Sequence, residues 1–288
     1  MRTKTWLKRN TYSLSGKTIL VSGSTGGIGR ELCSYLAWLG ASLVLLDRNR
    51  KKSEALKEEL ISEHPELSLT LVTADMSDVH SVNSAIEELK ELPIDVFICN
   101  AGAYSIPRYK CESGYDNVFQ INFVSPYTII RELLPSLRER KGRVVIVGSI
   151  AHNYSKSDPL DVDFSTRKKS SLVYGNSKRY LMFTLNELFK SEREVGFAST
   201  HPGISFTGIT SHYPKVLFAV IKHPMKIIFP HPRRACLSVL YGVFENTKDR
   251  EWIGPRLFNI WGVPKKKKLR TVKSAELEYF AKWNEDRT

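Results

Sequence analysis

KTILVSGSTGGIGRELC, residues 17–33, runs from a short apolar segment through a glycine-rich turn into a stretch with helical apolar spacing. TILV has the Val/Ile/Leu character of a strand buried on both faces. After it, Gly23, Gly27 and Gly29 let the backbone turn sharply and approach a ligand closely. The following helix would present unpaired N–H groups there, a natural seat for a pyrophosphate. Gly23, Ser24, Thr25, Gly27, Ile28 and Gly29 are therefore the candidate phosphate cradle. The glycines alone read equally well as a tight turn; the strand before and the helix after make the pattern specific.

Outward from this unit, further apolar runs recur: ASLVLLD, LSLTLVTAD, IDVFICN, RVVIVGS and GFASTHPG. Amphipathic stretches such as SEALKEELISEH, SVNSAIEELKEL and TIIRELLPSLRERK separate them. Alternating strand and helix predicts a single α/β domain over 1–288, a doubly wound parallel sheet with helices on both faces. Ligands of such sheets bind outside the carboxyl ends of the strands. Asp47 closes the second run about 20 residues after the glycines, where an acid can bind a ribose 2′-hydroxyl. Its charge repels a 2′-phosphate, whereas the adjacent Arg48 would attract one. The acid favours NAD(H) over NADP(H).

A second constellation lies in VYGNSK, residues 173–178. Apolar spacing in the residues that follow predicts a helix, which puts Tyr174 and Lys178 on one face, one turn apart. An ammonium there would stabilise a phenolate and lower the tyrosine pKa from about 10, giving a proton-transfer device.

Bulk properties narrow the alternatives. The chain has 288 residues and 42% hydrophobic content, enough for one large core. Its four cysteines lack metal-site spacing and read as reduced core residues, so no metal is expected. The basic N-terminus lacks a continuous apolar core and a cleavage site, and the expected location is cytoplasmic. The net charge of +13 suits an anionic cofactor, a nucleic acid or an anionic membrane. No nucleic-acid module can be placed around the basic residues, so no nucleic-acid partner is expected.

Taken together these motifs resemble the short-chain dehydrogenase/reductase family, from about Lys17 to Pro264. Its T-G-x-x-x-G-x-G appears as Ser22 to Gly29, with Ser22 in place of threonine. Gly26 stands where many NADP(H)-preferring members carry a basic residue. The family's N-N-A-G appears as Cys99, Asn100, Ala101 and Gly102, and Asp75 with Met76 matches its adenine-side segment. Asn122, Ser149, Tyr174 and Lys178 match its catalytic set in order. The resemblance implies that Tyr174 exchanges the proton and Ser149 orients the substrate oxygen. It also implies that Lys178 lowers the tyrosine pKa and binds the nicotinamide ribose, while Asn122 holds a relay water. Pro202 and Gly203 resemble a turn beside the nicotinamide, and Thr207 a contact to its amide or the phosphates. His152 and His201 are expected to be hydrogen-bonded bystanders.

The segment between Ser149 and Tyr174 is similar to the branch containing retinol dehydrogenase-like and WW-domain oxidoreductase-like enzymes. That likeness implies a lipophilic alcohol, ketone or aldehyde, steroid- or retinoid-like, as substrate. Residues 204–232 are expected as a substrate lid, and 265–288 as a basic C-terminal extension. The lysines Lys265 to Lys268 read either as part of a solvated tail or as a peripheral contact with anionic lipid. Many members of the family form homo-oligomers through helix faces, which the longer C-terminal segment could block. A catalytically silent dinucleotide-binding sensor on the same fold is the alternative to an active enzyme.

Overall fold

All six apolar runs are strands: β1 (Thr18–Ser22), β2 (Ser42–Asp47), β3 (Leu69–Thr73), β4 (Val96–Cys99), β5 (Arg143–Val147) and β6 (Gly196–Thr200). They are followed by β7 (Glu251–Leu257) and β8 (Trp261–Lys268). The structure is a computed structural model and describes residues 3–203, 230–270 and 272–285. The helices are α1 (Thr3–Asn10), α2 (Gly27–Trp38), α3 (Arg50–Glu63), α4 (Val79–Lys90), the single turn α5 (Asn117–Phe119), α6 (Ser125–Glu139) and α7 (Ser170–Ser191). After these come α8 (Pro232–Ala235), α9 (Leu237–Phe244) and α10 (Ser274–Glu285).

One sheet holds all eight strands in the order β3-β2-β1-β4-β5-β6-β7-β8. Pairings from β3 to β7 are parallel, and β8 returns antiparallel along β7. Strand order reverses between β1 and β4, which opens a crevice at their carboxyl ends. The sheet is covered on both sides, as its continuous apolar strands require. One face packs Phe97, Val144 and Ile146 against Leu133, Phe123 and Leu185. The other packs Ile19, Leu45 and Ile98 against Leu32, Leu36 and Leu240.

Two expectations change here. Lys265 to Lys268 do not begin a solvated extension; they lie in β8, the edge strand, where lysines also discourage pairing with another sheet. Farther on, α10 buries Phe280 and sets Trp283 against Phe123, while the Tyr127 hydroxyl donates to the Trp283 carbonyl at 2.7 Å. It is thus docked on α6 and α7. Thr207 and residues 204–229 of the expected lid lie outside the described residues.

Candidate active site

The turn after β1 brings the first candidate residues together. Gly23 has φ +67°, and a Cβ on it would lie 2.8 Å from Ala101 Cα. A Cβ on Gly29 would lie 2.2 Å from the Gly23 carbonyl oxygen. Only hydrogen at both positions lets α2 start this close to the strand ends. Its N-cap is Gly26, whose lack of a side chain leaves the first N–H groups without a side-chain cap. By contrast, Asn49 caps α3 and Asp78 caps α4 through their side chains.

A cavity of about 460 Å³ opens over this turn. Gly23, Thr25, Gly27, Ile28 and Gly29 line it, together with Asp47 and Arg48. Asp75 and Met76 border the same space, as do Asn100, Ala101 and Gly102. Ser24 does not line it; it is buried beneath and donates to Asp47 Oδ2.

Asp47 has more partners than its sequence position suggests. Its Oδ1 accepts from Thr25 N at 3.2 Å and Thr25 Oγ1 at 3.1 Å, and its Oδ2 also accepts from Ser53 Oγ at 3.3 Å. The carboxylate therefore shapes the glycine turn as well as facing the cavity. Asp75 likewise accepts from Ser77 N at 2.9 Å and Ser77 Oγ at 2.7 Å, and Arg48 reaches its other oxygen at 3.7 Å. Ser22 clasps β1 to the end of β4: its hydroxyl accepts from Asn100 N and Ala101 N, both at 3.1 Å. Asn100 Nδ2 returns to the carbonyls of Ser22 at 3.1 Å and Gly23 at 2.8 Å. Asn100 thus holds the crevice open as a structural clasp.

The second group sits at the ends of β5 and on α7. Ser149 follows β5 and starts the 3₁₀ turn Ile150–Asn153, accepting from Ala151 N at 3.2 Å through its hydroxyl. Tyr174 and Lys178 lie on α7 one turn apart, with the ammonium 5.9 Å from the phenol ring centroid. Lys178 Nζ donates to the Val147 carbonyl at 3.0 Å. Asn122 lies in a π turn, Gln120–Val124, between α5 and α6; such turns are frequent at functional sites. It pairs reciprocally with Ala103, accepting from Ala103 N at 2.7 Å and donating to Ala103 O at 2.9 Å, and also donates to Ser177 Oγ at 3.0 Å. A Cβ on Gly102 would stand 3.0 Å from Asn122 Oδ1 and 3.3 Å from Lys178 Nζ, which places this glycine between the two side chains.

Charge balance in this pocket differs from the expectation. Burial is the largest influence on the Tyr174 phenol and pushes it up to about 12; the nearby Ser149 side chain opposes this, while Tyr104 and Tyr154 add to it. Tyr174 is half-buried, which weakens the upward push. Burial also lowers Lys178, to about 8. Burial drives each of the two groups toward neutrality, and Lys178 is not among the groups that move the phenol. Tyr104 packs edge-on against Tyr174 with ring centroids 5.1 Å apart, a contact no sequence motif announces.

The two histidines sit behind the serine turn. His152 Nδ1 lies 2.6 Å from the Ser149 carbonyl, and burial lowers its pKa to about 4. His201 stacks on Trp252 at 5.0 Å. Pro202 and Gly203 follow β6, and a Cβ on Gly203 would meet Pro255 and the carbonyls of Asn259 and Ile260. Among the described residues, no group of three or more His, Cys, Asp or Glu side chains is arranged to hold a metal ion.

Comparison with known proteins completes the description. Residues 17–158 match the family model for short chain dehydrogenases. The dehydrogenase/reductase SDR family member FEY of Arabidopsis thaliana is 30% identical over 263 residues, covering 83% of this chain and 70% of that protein. The chain belongs to the short-chain dehydrogenase/reductase family. It is accordingly an NAD(P)-dependent oxidoreductase. Retinol dehydrogenase 12 of Mus musculus is 29% identical over 202 residues, covering 68% of this chain and 64% of that one. A 3-oxoacyl (acyl-carrier-protein) reductase of Agrobacterium tumefaciens C58, solved with NADP bound, superposes with a TM-score of 0.64. Its sequence identity is 21%, over 85% of this chain and 92% of that one, so the likeness is one of fold.

The residues present fit a dinucleotide. The α2 N-terminus lacks a side-chain cap, two glycines keep the crevice clear, and the cavity continues past Asp47 and Asp75.

Proposed function

We propose that this chain transfers hydride between a nicotinamide dinucleotide and a lipophilic primary or secondary alcohol or carbonyl, steroid- or retinoid-like, with NAD(H) favoured over NADP(H). The convergence of Ser149, at the end of β5, with Tyr174 and Lys178, one turn apart on α7, carries this reading, because it gathers the groups that would hold and protonate a substrate oxygen.

The bound nicotinamide would supply or accept the hydride. Gly23, Thr25, Gly27, Ile28 and Gly29 would hold the pyrophosphate at the start of α2, and Asp75 and Met76 would flank the adenine. Asp47, and not Arg48, is proposed to face the ribose, its fixed negative charge opposing a 2′-phosphate. Asn100, Ala101, Gly102, Pro202 and Gly203 would border the rest of the cofactor, and Lys178 would hold the nicotinamide ribose. Ser149 Oγ orients the substrate oxygen and the Tyr174 phenol exchanges its proton. With the phenol raised, the protonated form is the resident one, ready to donate to a carbonyl. Asn122, clamped to Ala103, fixes the end of the relay nearest Lys178.

Support for an apolar substrate comes from Tyr104, packed on Tyr174, and from Ile106 and Ile121 along the cavity. Four free thiols, all buried, support a reducing compartment such as the cytoplasm. None of the described helices is long and apolar enough to cross a membrane. The test is a panel of steroids, retinoids and simple polar alcohols assayed with NAD and NADP separately. Turnover of the lipophilic compounds, with NAD preferred, is expected. Equal turnover of glycerol and a sterol would overturn the substrate class, and dinucleotide binding without any turnover would restore the sensor reading.

A further inference from the structure

We infer that Arg179 and Glu276 are positioning residues for Ser149, so that helix α10 sets the geometry of the serine turn; the inference rests on the catalytic reading above. Arg179 immediately follows Lys178 on α7 but points away from the cleft into a buried fork with Glu276 of α10. Its Nε donates to Oε1 at 2.5 Å and its Nη2 to Oε2 at 2.7 Å. Both residues are buried, at 7% and 8% exposure.

What this pair holds is the backbone that carries Ser149. Arg179 Nη1 donates to the His152 carbonyl at 3.0 Å, and Glu276 Oε1 accepts from Ser157 N at 2.8 Å. His152 in turn meets the Ser149 carbonyl twice, through its own N–H at 3.1 Å and through ring Nδ1 at 2.6 Å. The segment 149–157 is thus pinned at two points by one ion pair. On its other side it lies directly on α7, where a Cβ on Gly175 would stand 2.5 Å from the Ala151 carbonyl oxygen. A small shift of this segment would move the Ser149 hydroxyl relative to Tyr174.

Energetics point the same way. A buried ion pair recovers its desolvation cost only with good geometry and additional hydrogen bonds, and apolar replacements are often as stable. Here the additional bonds run to the serine turn and couple α10 to the reacting groups. The rest of α10 docks through Phe280 and Trp283 and does not need the charges.

The experiment compares Glu276→Gln and the apolar double variant Arg179→Met with Glu276→Leu, which keeps bulk without leaving an unpaired charge. Both are expected to lose about 10- to 100-fold in kcat, as for an ångström-scale misplacement, with dinucleotide affinity unchanged. The phenol titration in the kcat–pH profile should move upward, because the Ser149 hydroxyl, whose nearness lowers the Tyr174 pKa, is displaced. The charged and titratable groups near that phenol are Lys178, Tyr104 and Tyr154, and neither variant alters them. A stable double variant with parental kcat and pH profile would show that the pair serves packing alone. Failure of both variants to fold would overturn the inference too, by making the pair a requirement of the fold. Should the parent turn over nothing in the panel, the functional reading fails by itself. Amide exchange of residues 149–157 then tests the positioning: faster exchange in Glu276→Gln is expected, and unchanged exchange would refute it.

Discussion

Replacing Gly29 with alanine tests the cofactor cradle most severely, because its two nearest neighbours are backbone. The new methyl would stand 2.2 Å from the Gly23 carbonyl oxygen, 2.8 Å from Ser24 Cα and 2.9 Å from Asn100 Nδ2. Even close carbon–oxygen contacts begin near about 3.3 Å, so the start of α2 would have to retreat by roughly 1 Å. Overpacking of this kind costs about 1–3 kcal/mol, and rigid neighbours place it at the upper end. At about 2–4 °C per kcal/mol, the melting temperature should fall by roughly 6–12 °C. The same retreat carries the helix N–H groups away from the phosphates, so dinucleotide binding should weaken at least about tenfold, or ~1.4 kcal/mol. Thermal unfolding and titration by tryptophan fluorescence read the two effects. An alanine variant with parental melting temperature and parental affinity would refute the packing argument.

Other consequences follow from the same geometry. Ser22→Ala removes the acceptor for Asn100 N and Ala101 N and should cost about 1–3 kcal/mol in urea unfolding; Ser22→Thr keeps the hydroxyl and should be tolerated. Asp95 accepts from Thr18 N at 2.9 Å and pairs with Lys17 and Arg140. Burial opposes its ionisation, but these bonds and charges prevail and hold its pKa below the ordinary carboxylate value. Its contribution is therefore present above about pH 4 and lost as pH falls through the depressed folded value. Asp95→Asn should be less stable than the parent at pH 7, with the gap closing under acid; a gap that widens on acidification would contradict this.

β1, β2, β4 and β5 were legible because each is a nearly continuous apolar run, almost wholly buried; β3, with two threonines exposed, and β6, GFAST, were legible from their place in the strand–helix alternation. The last two strands were not: Pro255, Pro264 and four consecutive lysines break every strand pattern; β8 tolerates Pro264 and the lysines at the sheet edge, and Pro255 lies beyond Ile253, the one β7 residue paired with β6. Tyr174 and Lys178 could be read from helical spacing, and Ser149 and Asn122 only through the resemblance to a family. The π turn that holds Asn122 has no local signature. Asp47 was legible as an acid at a strand end, yet its bonds to Ser24, Thr25 and Ser53 arise from tertiary packing. Tyr104 and Glu276 were missed because their significance depends on partners 70 and 97 positions away. The expected depression of the Tyr174 pKa weighed the ammonium and omitted burial, the largest influence on this phenol.

The central claim is that the Tyr174 phenol exchanges the proton while Ser149 holds the substrate oxygen. Its most direct test is Tyr174→Phe, with dinucleotide affinity and single-turnover rate measured on the same preparation. The account requires parental affinity and a rate reduced by about 10²–10⁴-fold. A phenylalanine variant that turns over at the parental rate would contradict it.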